Sequence, residues 1–152
     1  MQLPKSCISS RLTSVSGWSV RADWEGIKWK DFLREIVLKL EATHATFSSY
    51  GGVYTTTVSL KDLDASGVML VYGVACEPLE PEYGGPLRML IPNLYGYKSC
   101  KWLSQIDFTD QMQGGYWEDR GYSRSGIIDP GITFDVNSKT YREIKGGEVL
   151  EF

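Results

Sequence analysis

The sequence predicts an α+β fold that consists mostly of β-strands. Short runs rich in β-branched and aromatic residues recur along the chain, and glycine or proline turns separate them. One long segment, residues 28–41, shows the three- and four-residue apolar spacing that is typical of a helix. We therefore expect a mixed β-sheet domain with one substantial helix.

Length and composition favour a single domain that spans residues 1–152. The chain has 42% hydrophobic residues, enough for one buried core, and no internal repeat or low-complexity linker marks a boundary. Its net charge of -3 gives no basic footprint for nucleic acid. No apolar run approaches the roughly 20 residues of a membrane helix, and the first residues lack a signal-peptide core. We therefore expect a cytoplasmic protein without nucleic-acid or membrane partners.

The cysteines and the histidine do not form a recognisable metal or disulfide pattern. Cys7, Cys76 and Cys100 are an odd number at long separations, and His44 is the single histidine. Neither a disulfide framework nor a structural zinc site is predicted from this spacing.

The first quarter of the chain is predicted to contain a strand and then the helix. Residues 1–14 show no sustained period, whereas residues 14–26 alternate around two tryptophans and end in a Glu-Gly turn. In the predicted helix, residues 28–41, charged side chains lie opposite an apolar stripe formed by Trp29, Phe32, Leu33, Ile36, Val37 and Leu40. His44 follows at the end of this helix.

A hairpin is predicted next. Residues 45–49 and 53–59 are rich in β-branched and aromatic side chains, and Tyr-Gly-Gly separates the two runs. Residues 60–64 are predicted to form a short helical turn.

The second half of the chain is predicted to be β-rich. Residues 68–76 are apolar enough for a strand buried on both faces, and residues 77–83 form a loop because two prolines lie three residues apart. Residues 102–109 alternate as a strand does. Further β-like pieces occur at residues 132–136 and 148–152, where we find no chemical motif.

Residues 84–103 contain the strongest functional signal. Two glycines and a proline precede an apolar run that contains one charge, Arg88, and a Tyr-Gly-Tyr turn then leads to a basic loop. A buried arginine needs an anionic or hydrogen-bonding partner because it does not deprotonate. We predict that an anion site is formed by three basic side chains and three backbone amides: Arg88, Lys98 and Lys101, with the amides of Gly96, Ser99 and Cys100.

The same stretch resembles a known family. Gly-Gly-Pro-Leu-Arg at residues 84–88, Pro92, Tyr-Gly-Tyr-Lys-Ser at residues 95–99 and Lys-Trp-Leu at residues 101–103 are similar to the signature of the oxidoreductase molybdopterin-binding domain. This is the central domain of sulfite oxidases and of their bacterial sulfoxide-reducing relatives. The likeness continues more thinly from residue 15 to residue 118. It implies the mixed, mostly β fold of the sulfite oxidase type.

The resemblance implies a molybdenum cofactor, molybdopterin, and an oxidoreductase that transfers oxygen atoms. The expected substrate is a small oxyanion or a sulfoxide-like molecule, and the expected partner is an electron-transfer protein. The predicted cofactor-binding residues are Arg88, Ser99, Cys100, Lys101, Tyr54 and Thr55. Tyr54 has core packing as its alternative role.

The chain departs from the family pattern at the metal. The family holds molybdenum through a cysteine four residues before a Trp-Ser pair, and in this chain that position is Ser14. Two histidine positions of related short domains are here Tyr83 and Ser123. Three hypotheses follow: an active molybdenum oxidoreductase with Ser14 facing the metal, a degenerate cofactor-poor member that binds an anion or a protein, and an unrelated α+β domain that binds a protein through exposed aromatic residues.

Overall fold

The longest strand of the molecule lies inside a seven-stranded sheet. A computed structural model describes residues 2–148 of the chain. This sheet contains β1 (Ser6–Thr13), β2 (Trp18–Lys28), β5 (Met69–Val74), β6 (Glu77–Pro78), β7 (Arg88–Leu90), β9 (Gly131–Asp135) and β10 (Thr140–Ile144). A second sheet has three strands in the order β4 (Thr55–Ser59), β3 (His44–Ser49) and β8 (Leu103–Thr109). The predicted α+β, mostly β fold class is confirmed.

Strand β2 connects distant parts of the chain. It pairs antiparallel with β1 and β5, and it pairs in parallel with β9 at the Trp18–Phe134 and Ser19–Asp135 positions. Near this parallel contact the side chain of Asn137 accepts a hydrogen bond of 2.6 Å from the backbone N–H of Arg21, 116 residues away in sequence. The segment after residue 130 is thereby fixed to the amino-terminal hairpin.

Alternation along β1 and β2 gives the hairpin two different faces. Leu12, Val20 and Trp24 point to one face, and Arg11 and Arg21 are paired on the other. A bulge between Glu25 and Gly26 interrupts the pairing with β5. A Cβ atom on Gly26 would lie 1.9 Å from the carbonyl oxygen of Leu70, so the two backbones approach this closely only because no side chain is present.

The main core lies between the second sheet and the strands of the first. Trp29 is fully buried, and its ring contacts Phe47 edge-on at 5.7 Å between centroids. Other buried members of this cluster are Ala45, Val58, Leu63, Val68, Leu70, Met89, Ile91, Leu94 and Cys100. A smaller cluster, which includes Leu12, Trp24 and Leu90, packs on the other side of the first sheet.

The predicted helix over residues 28–41 is wrong beyond its first turns. Helix α1 covers Trp29–Leu33, and Val37 and Leu40 are 100% and 103% exposed. Trp29, Phe32 and Leu33 pack against the core, whereas Val37 and Leu40 have no surface to cover. Without such packing a short helix is marginal in water, and apolar spacing alone does not extend it. His44 accordingly begins β3 and does not end a helix.

Other predicted elements are observed with small changes. The hairpin is β3 and β4, the helical turn is α2 (Leu60–Leu63), and the strand predicted at residues 68–76 is β5. No regular structure is expected for residues 1–14 from their sequence, but Ser6–Thr13 forms β1 because eight cross-strand positions of β2 pair with it.

The remaining elements are short. The loop predicted at residues 77–83 contains the two-residue strand β6 and a 3-10 turn at Pro81–Tyr83, and further 3-10 turns lie at Gly96–Lys98 and Glu118–Arg120. The β-like piece predicted at residues 148–152 lies outside the described residues from 149 onward. In residues 2–148, no helix is long and apolar enough to cross a membrane.

Candidate functional site

A cavity of about 920 Å³ lies between the β1–β2 hairpin, the loops after β3 and β7, and the segment around residue 117. Its aromatic lining is Trp18, Trp24, Tyr50, Tyr54, Tyr83, Tyr97, Trp102, Tyr116 and Trp117. Its other lining residues are Leu12, Ser14, Val20, Ala22, Ser49, Val53, Val74, Leu79, Arg88, Gly96, Ser99, Lys101 and Val136. Within the described part of the chain, the charged lining residues are both cations, and the lining contains no Asp, Glu, His or Cys.

Arg88 is a buried cation without a carboxylate partner in residues 2–148. Its side chain leaves β7, it is 5% exposed, and it forms no ion pair with any described residue. The guanidinium donates hydrogen bonds to the carbonyl oxygens of Tyr83 at 2.8 Å and Met89 at 3.1 Å, with a longer contact to Ser99 at 3.5 Å. Burial lowers the pKa of Arg88 to about 10. An anion in the cavity would supply the missing countercharge.

Lys101 is the second cation at the cavity. Its ammonium lies over the ring of Trp102, 4.8 Å from the centroid. Burial, followed by the charge of Arg88, lowers the pKa of Lys101. The two cations therefore lie close enough to repel each other, and a shared anion would relieve that repulsion.

Lys98 does not belong to this site, which corrects the predicted anion cradle. Its side chain is fully buried, and its ammonium lies 2.8 Å from the carboxylate of Glu118. The ammonium also donates to the carbonyl oxygens of Thr57 at 2.8 Å and Arg124 at 2.6 Å. These three partners use all the donors of a lysine, so none remains for a ligand.

The predicted backbone donors are also largely occupied. The amide of Ser99 donates to the carbonyl of Gly96 at 3.0 Å, as the 3-10 turn requires, and the amide of Cys100 donates to the carbonyl of Lys98 at 3.1 Å. The hydroxyl of Ser99 accepts from the amide of Ile91 at 2.9 Å. An anion in the cavity would therefore have the side chains of Arg88 and Lys101 as donors rather than a nest of amides.

Of the seven residues that are predicted to bind the cofactor or the metal, the structure brings five to the cavity. Ser14, Tyr54, Arg88, Ser99 and Lys101 all line it. The remaining two, Thr55 and Cys100, are not among the lining residues.

The thiol of Cys100 lies behind the cavity wall. It is 1% exposed, and its sulfur lies 3.4 Å from the hydroxyl of Ser49, which does line the cavity. Burial raises the pKa of Cys100. The side chain therefore remains a neutral thiol that packs in the core.

Tyr54 has the core-packing role that the sequence offered as one alternative, and it also lines the cavity. It packs against the main core, and it lines the cavity, where its hydroxyl donates to the carbonyl oxygen of Tyr97. Burial raises the pKa of both phenols, that of Tyr97 to about 12. Both side chains are consequently neutral at physiological pH.

Sequence reasoning does not identify the aromatic wall as part of the site. Rings of Tyr54, Tyr116, Trp117, Tyr122 and Tyr97 contact one another in series, with centroids 4.8 to 5.8 Å apart. The density of tyrosine and tryptophan within residues 95–97 and 116–122 is the available signal. Such a wall offers flat π surfaces to a planar ligand.

Glu118 fixes this wall from behind. Its carboxylate accepts a hydrogen bond of 2.5 Å from Thr56 in addition to its contact with Lys98. A Cβ atom on Gly115 would lie 2.2 Å from the carbonyl oxygen of Thr55 and 2.6 Å from Glu118 Oε2, so a glycine is required for this packing. The buried pair joins the segment around Trp117 to the turn that carries Tyr97.

Comparisons with known proteins identify the family. The family model described as the oxidoreductase molybdopterin binding domain matches residues 4–117. An uncharacterized oxidoreductase, YuiH of Bacillus subtilis, is 40% identical over 114 residues, which cover 74% of this chain and 57% of YuiH. A putative protein-methionine-sulfoxide reductase subunit of Azospira oryzae, YedZ1, is 31% identical over 124 residues, covering 82% of this chain and 47% of the relative. The chain thus spans about half the length of these relatives.

A solved structure has the same fold. The sulfane dehydrogenase SoxCD of Paracoccus pantotrophus matches with a TM-score of 0.68, and the match covers 95% of this chain and 39% of that one. The two chains are 14% identical, so this likeness concerns the fold alone.

Proposed function

Because this chain belongs to the oxidoreductase molybdopterin-binding domain family, we propose that its cavity binds the organic, anionic part of molybdopterin. The observation that carries this proposal is Arg88, a buried cation at the cavity with no carboxylate beside it in residues 2–148. Lys101 adds a second positive charge. A pterin with a phosphate group matches two cations and a row of aromatic rings.

The residues at the cavity fit the organic part of the cofactor. Arg88 and Lys101 would bind its phosphate, the hydroxyls of Ser99 and Tyr54 would lie beside its polar edge, and the aromatic wall would cover its ring system. Thr55 and Cys100 would support this wall without touching the ligand. The volume of about 920 Å³ is within the range of cofactor pockets.

The donor set does not fit a protein bond to molybdenum. The resemblance assigns the metal position to Ser14, and no thiol, imidazole or carboxylate lines the cavity in the described residues. No group of three His, Cys, Asp or Glu side chains in residues 2–148 is arranged to hold a metal ion. We therefore propose that the protein binds the organic part of the cofactor, and we propose no reaction step at the metal.

Two candidate functions are compatible with a domain that binds this cofactor. Family membership favours oxygen-atom transfer to or from an oxyanion or a sulfoxide-like substrate, with a separate protein exchanging electrons. In that case the cofactor supplies the redox chemistry, and the chain binds it and excludes water. The thiol-free cavity lining of the described residues favours the second candidate, a degenerate, cofactor-poor member that binds an anion or a protein.

The pterin content of the purified protein tests the binding proposal. We would produce wild type, Arg88→Ala and Arg34→Ala in a host that makes the cofactor, oxidise bound pterin to its fluorescent form and measure pterin per chain. Arg34 is an exposed arginine paired with Asp31 and is not part of the cavity lining, so its variant is the matched control.

Wild type and Arg34→Ala should carry similar amounts of pterin. Arg88→Ala should carry at least roughly ten-fold less. Wild type without pterin, which also fails to bind added pterin-6-carboxylate, would show that the cavity serves another ligand.

A further inference from the structure

The cavity combines strong attraction for an anion with an absence of metal ligands in its described lining. That lining offers two cations, hydroxyls and aromatic rings, but no group that is anionic at neutral pH. Metal ions of the transition series are held by thiolate, imidazole or carboxylate groups. A metal that enters with the ligand therefore has no ionised side chain to bind among these residues.

Ser14 is the one residue that the resemblance places at the metal, and its hydroxyl takes part in a tight turn. Ser14 begins the turn between β1 and β2, where its amide donates to the carbonyl of Trp18 at 2.7 Å and its carbonyl accepts from Gly17 at 3.2 Å. Its side-chain oxygen accepts from the amide of Ser16 at 3.1 Å. A hydroxyl held in this turn is a harder and far less acidic ligand than a thiol.

No cysteine of the described chain is placed to substitute for it. Cys100 is buried behind Ser49 as a neutral thiol, with its sulfur 3.6 Å from the carbonyl oxygen of Lys101. Cys7 and Cys76 are exposed and do not line the cavity. The three thiols therefore lie away from the ligand site.

We infer that the ligand is held by charge, hydrogen bonds and ring stacking, with no bond between its metal and the protein, so that the domain is a reversible carrier of an anionic pterin cofactor. This inference rests on the proposed binding of the pterin. A coordinate bond is the contact that would retain a cofactor after its charge interactions break. Without it, the cofactor leaves and re-enters as one unit, the pterin together with any metal it carries.

The rate of cofactor release tests this inference. Wild type, Ser14→Ala and Ser14→Cys, each loaded in a host that makes the cofactor, would be mixed with an excess of pterin-6-carboxylate. Bound pterin and molybdenum would then be measured over time after gel filtration, by fluorescence of the oxidised pterin and by elemental analysis. Wild type and Ser14→Ala should release pterin and molybdenum at the same rate. Ser14→Cys should release them at least roughly ten-fold more slowly.

X-ray absorption at the molybdenum edge gives a readout that does not depend on turnover. In wild type the molybdenum should have no sulfur neighbour from the protein, and in Ser14→Cys it should gain one. Release from wild type that is roughly ten-fold slower than from Ser14→Ala would overturn the inference, because the serine oxygen would then bind the metal. If none of the variants carries pterin, the proposed function itself fails and this inference fails with it.

Discussion

The ammonium of Lys98 lies 2.8 Å from the carboxylate of Glu118, and both side chains are completely excluded from solvent. The pair lies behind the aromatic wall of the cavity and joins two turns that are 20 positions apart in sequence. Burial lowers the pKa of Lys98, while its hydrogen bond to Glu118 acts in the opposite direction. An ion pair in this position is costly to form and still more costly to break from one side.

Removing one member of this pair should destabilise the fold strongly. Lys98→Met leaves Glu118 as an uncompensated buried charge, so we expect a loss of about 3–5 kcal/mol in the free energy of unfolding. The double variant Lys98→Met, Glu118→Leu removes both charges and should recover most of that loss. Urea unfolding followed by tryptophan fluorescence measures both.

The control is an ion pair on the surface. Lys30 and Asp64 are 3.5 Å apart with side chains 56% and 75% exposed, so Lys30→Met should cost about 1 kcal/mol or less. Equal losses for Lys98→Met and Lys30→Met would contradict the role given to the buried pair.

Arg88 should contribute more to the affinity for the ligand than its charge alone explains. Arg88→Lys keeps a cation but loses the planar fork, and Arg88→Ala loses both, so the affinity should fall in that order. For Arg88→Ala we expect a loss of about 1.5–3 kcal/mol in binding free energy. Calorimetric titration with pterin-6-carboxylate measures it, and superimposable titrations of all three proteins would refute the assignment.

The affinity for anions should depend on pH through Lys101. Burial and then Arg88 lower the pKa of this ammonium below the usual 10.5, so as pH rises its positive charge is lost at a lower pH than that of an exposed lysine. Sulfate keeps its charge over this range, so its affinity should decline between neutral pH and about pH 10. In Lys101→Met this decline should become smaller and should be confined to the range near pH 10, where Arg88 loses its charge. A decline of unchanged size in Lys101→Met would assign it to another group.

The exposed segment after α1 should tolerate polar substitution. Leu40 has no packing partner among the described residues, so Leu40→Lys should change the free energy of unfolding by about 0.5 kcal/mol or less. Trp29 belongs to the same predicted helical stripe but is fully buried, and Trp29→Ala should cost about 3–5 kcal/mol. Thermal and urea unfolding of both variants would distinguish them. A large loss for Leu40→Lys would mean that the predicted helix does form.

Local patterns predict those elements whose packing agrees with their own sequence. The hairpin of β3 and β4 has β-branched runs and a glycine turn, and the charge of Arg88 on an apolar strand is by itself enough to indicate a site. The helix predicted over residues 28–41 fails because its stripe has a core contact at Trp29 and none at Leu40. That difference depends on the position of the two sheets, and the spacing of apolar residues along the chain does not encode this position.

The pairing of Lys98 with Glu118 is also beyond sequence reasoning. Lys98 lies near two other basic residues in a motif that resembles an anion site, and this spacing groups the three together. Its partner is contributed by a turn 20 positions later that carries no motif of its own. Only the three-dimensional path of residues 114–126 shows which of the three cations is neutralised and which two remain for a ligand.

The hydrogen bond between Arg21 and Asn137 joins two segments that are synthesised at different times. Strand β2 is synthesised more than a hundred residues before its parallel neighbour β9, and Val136, which follows β9, contributes to the cavity lining. Contacts so far apart in sequence form late, because a long loop must close first. Until β9 pairs with β2, the cavity lacks the part of its lining that Val136 contributes, so the cavity is among the last features of the domain to be completed.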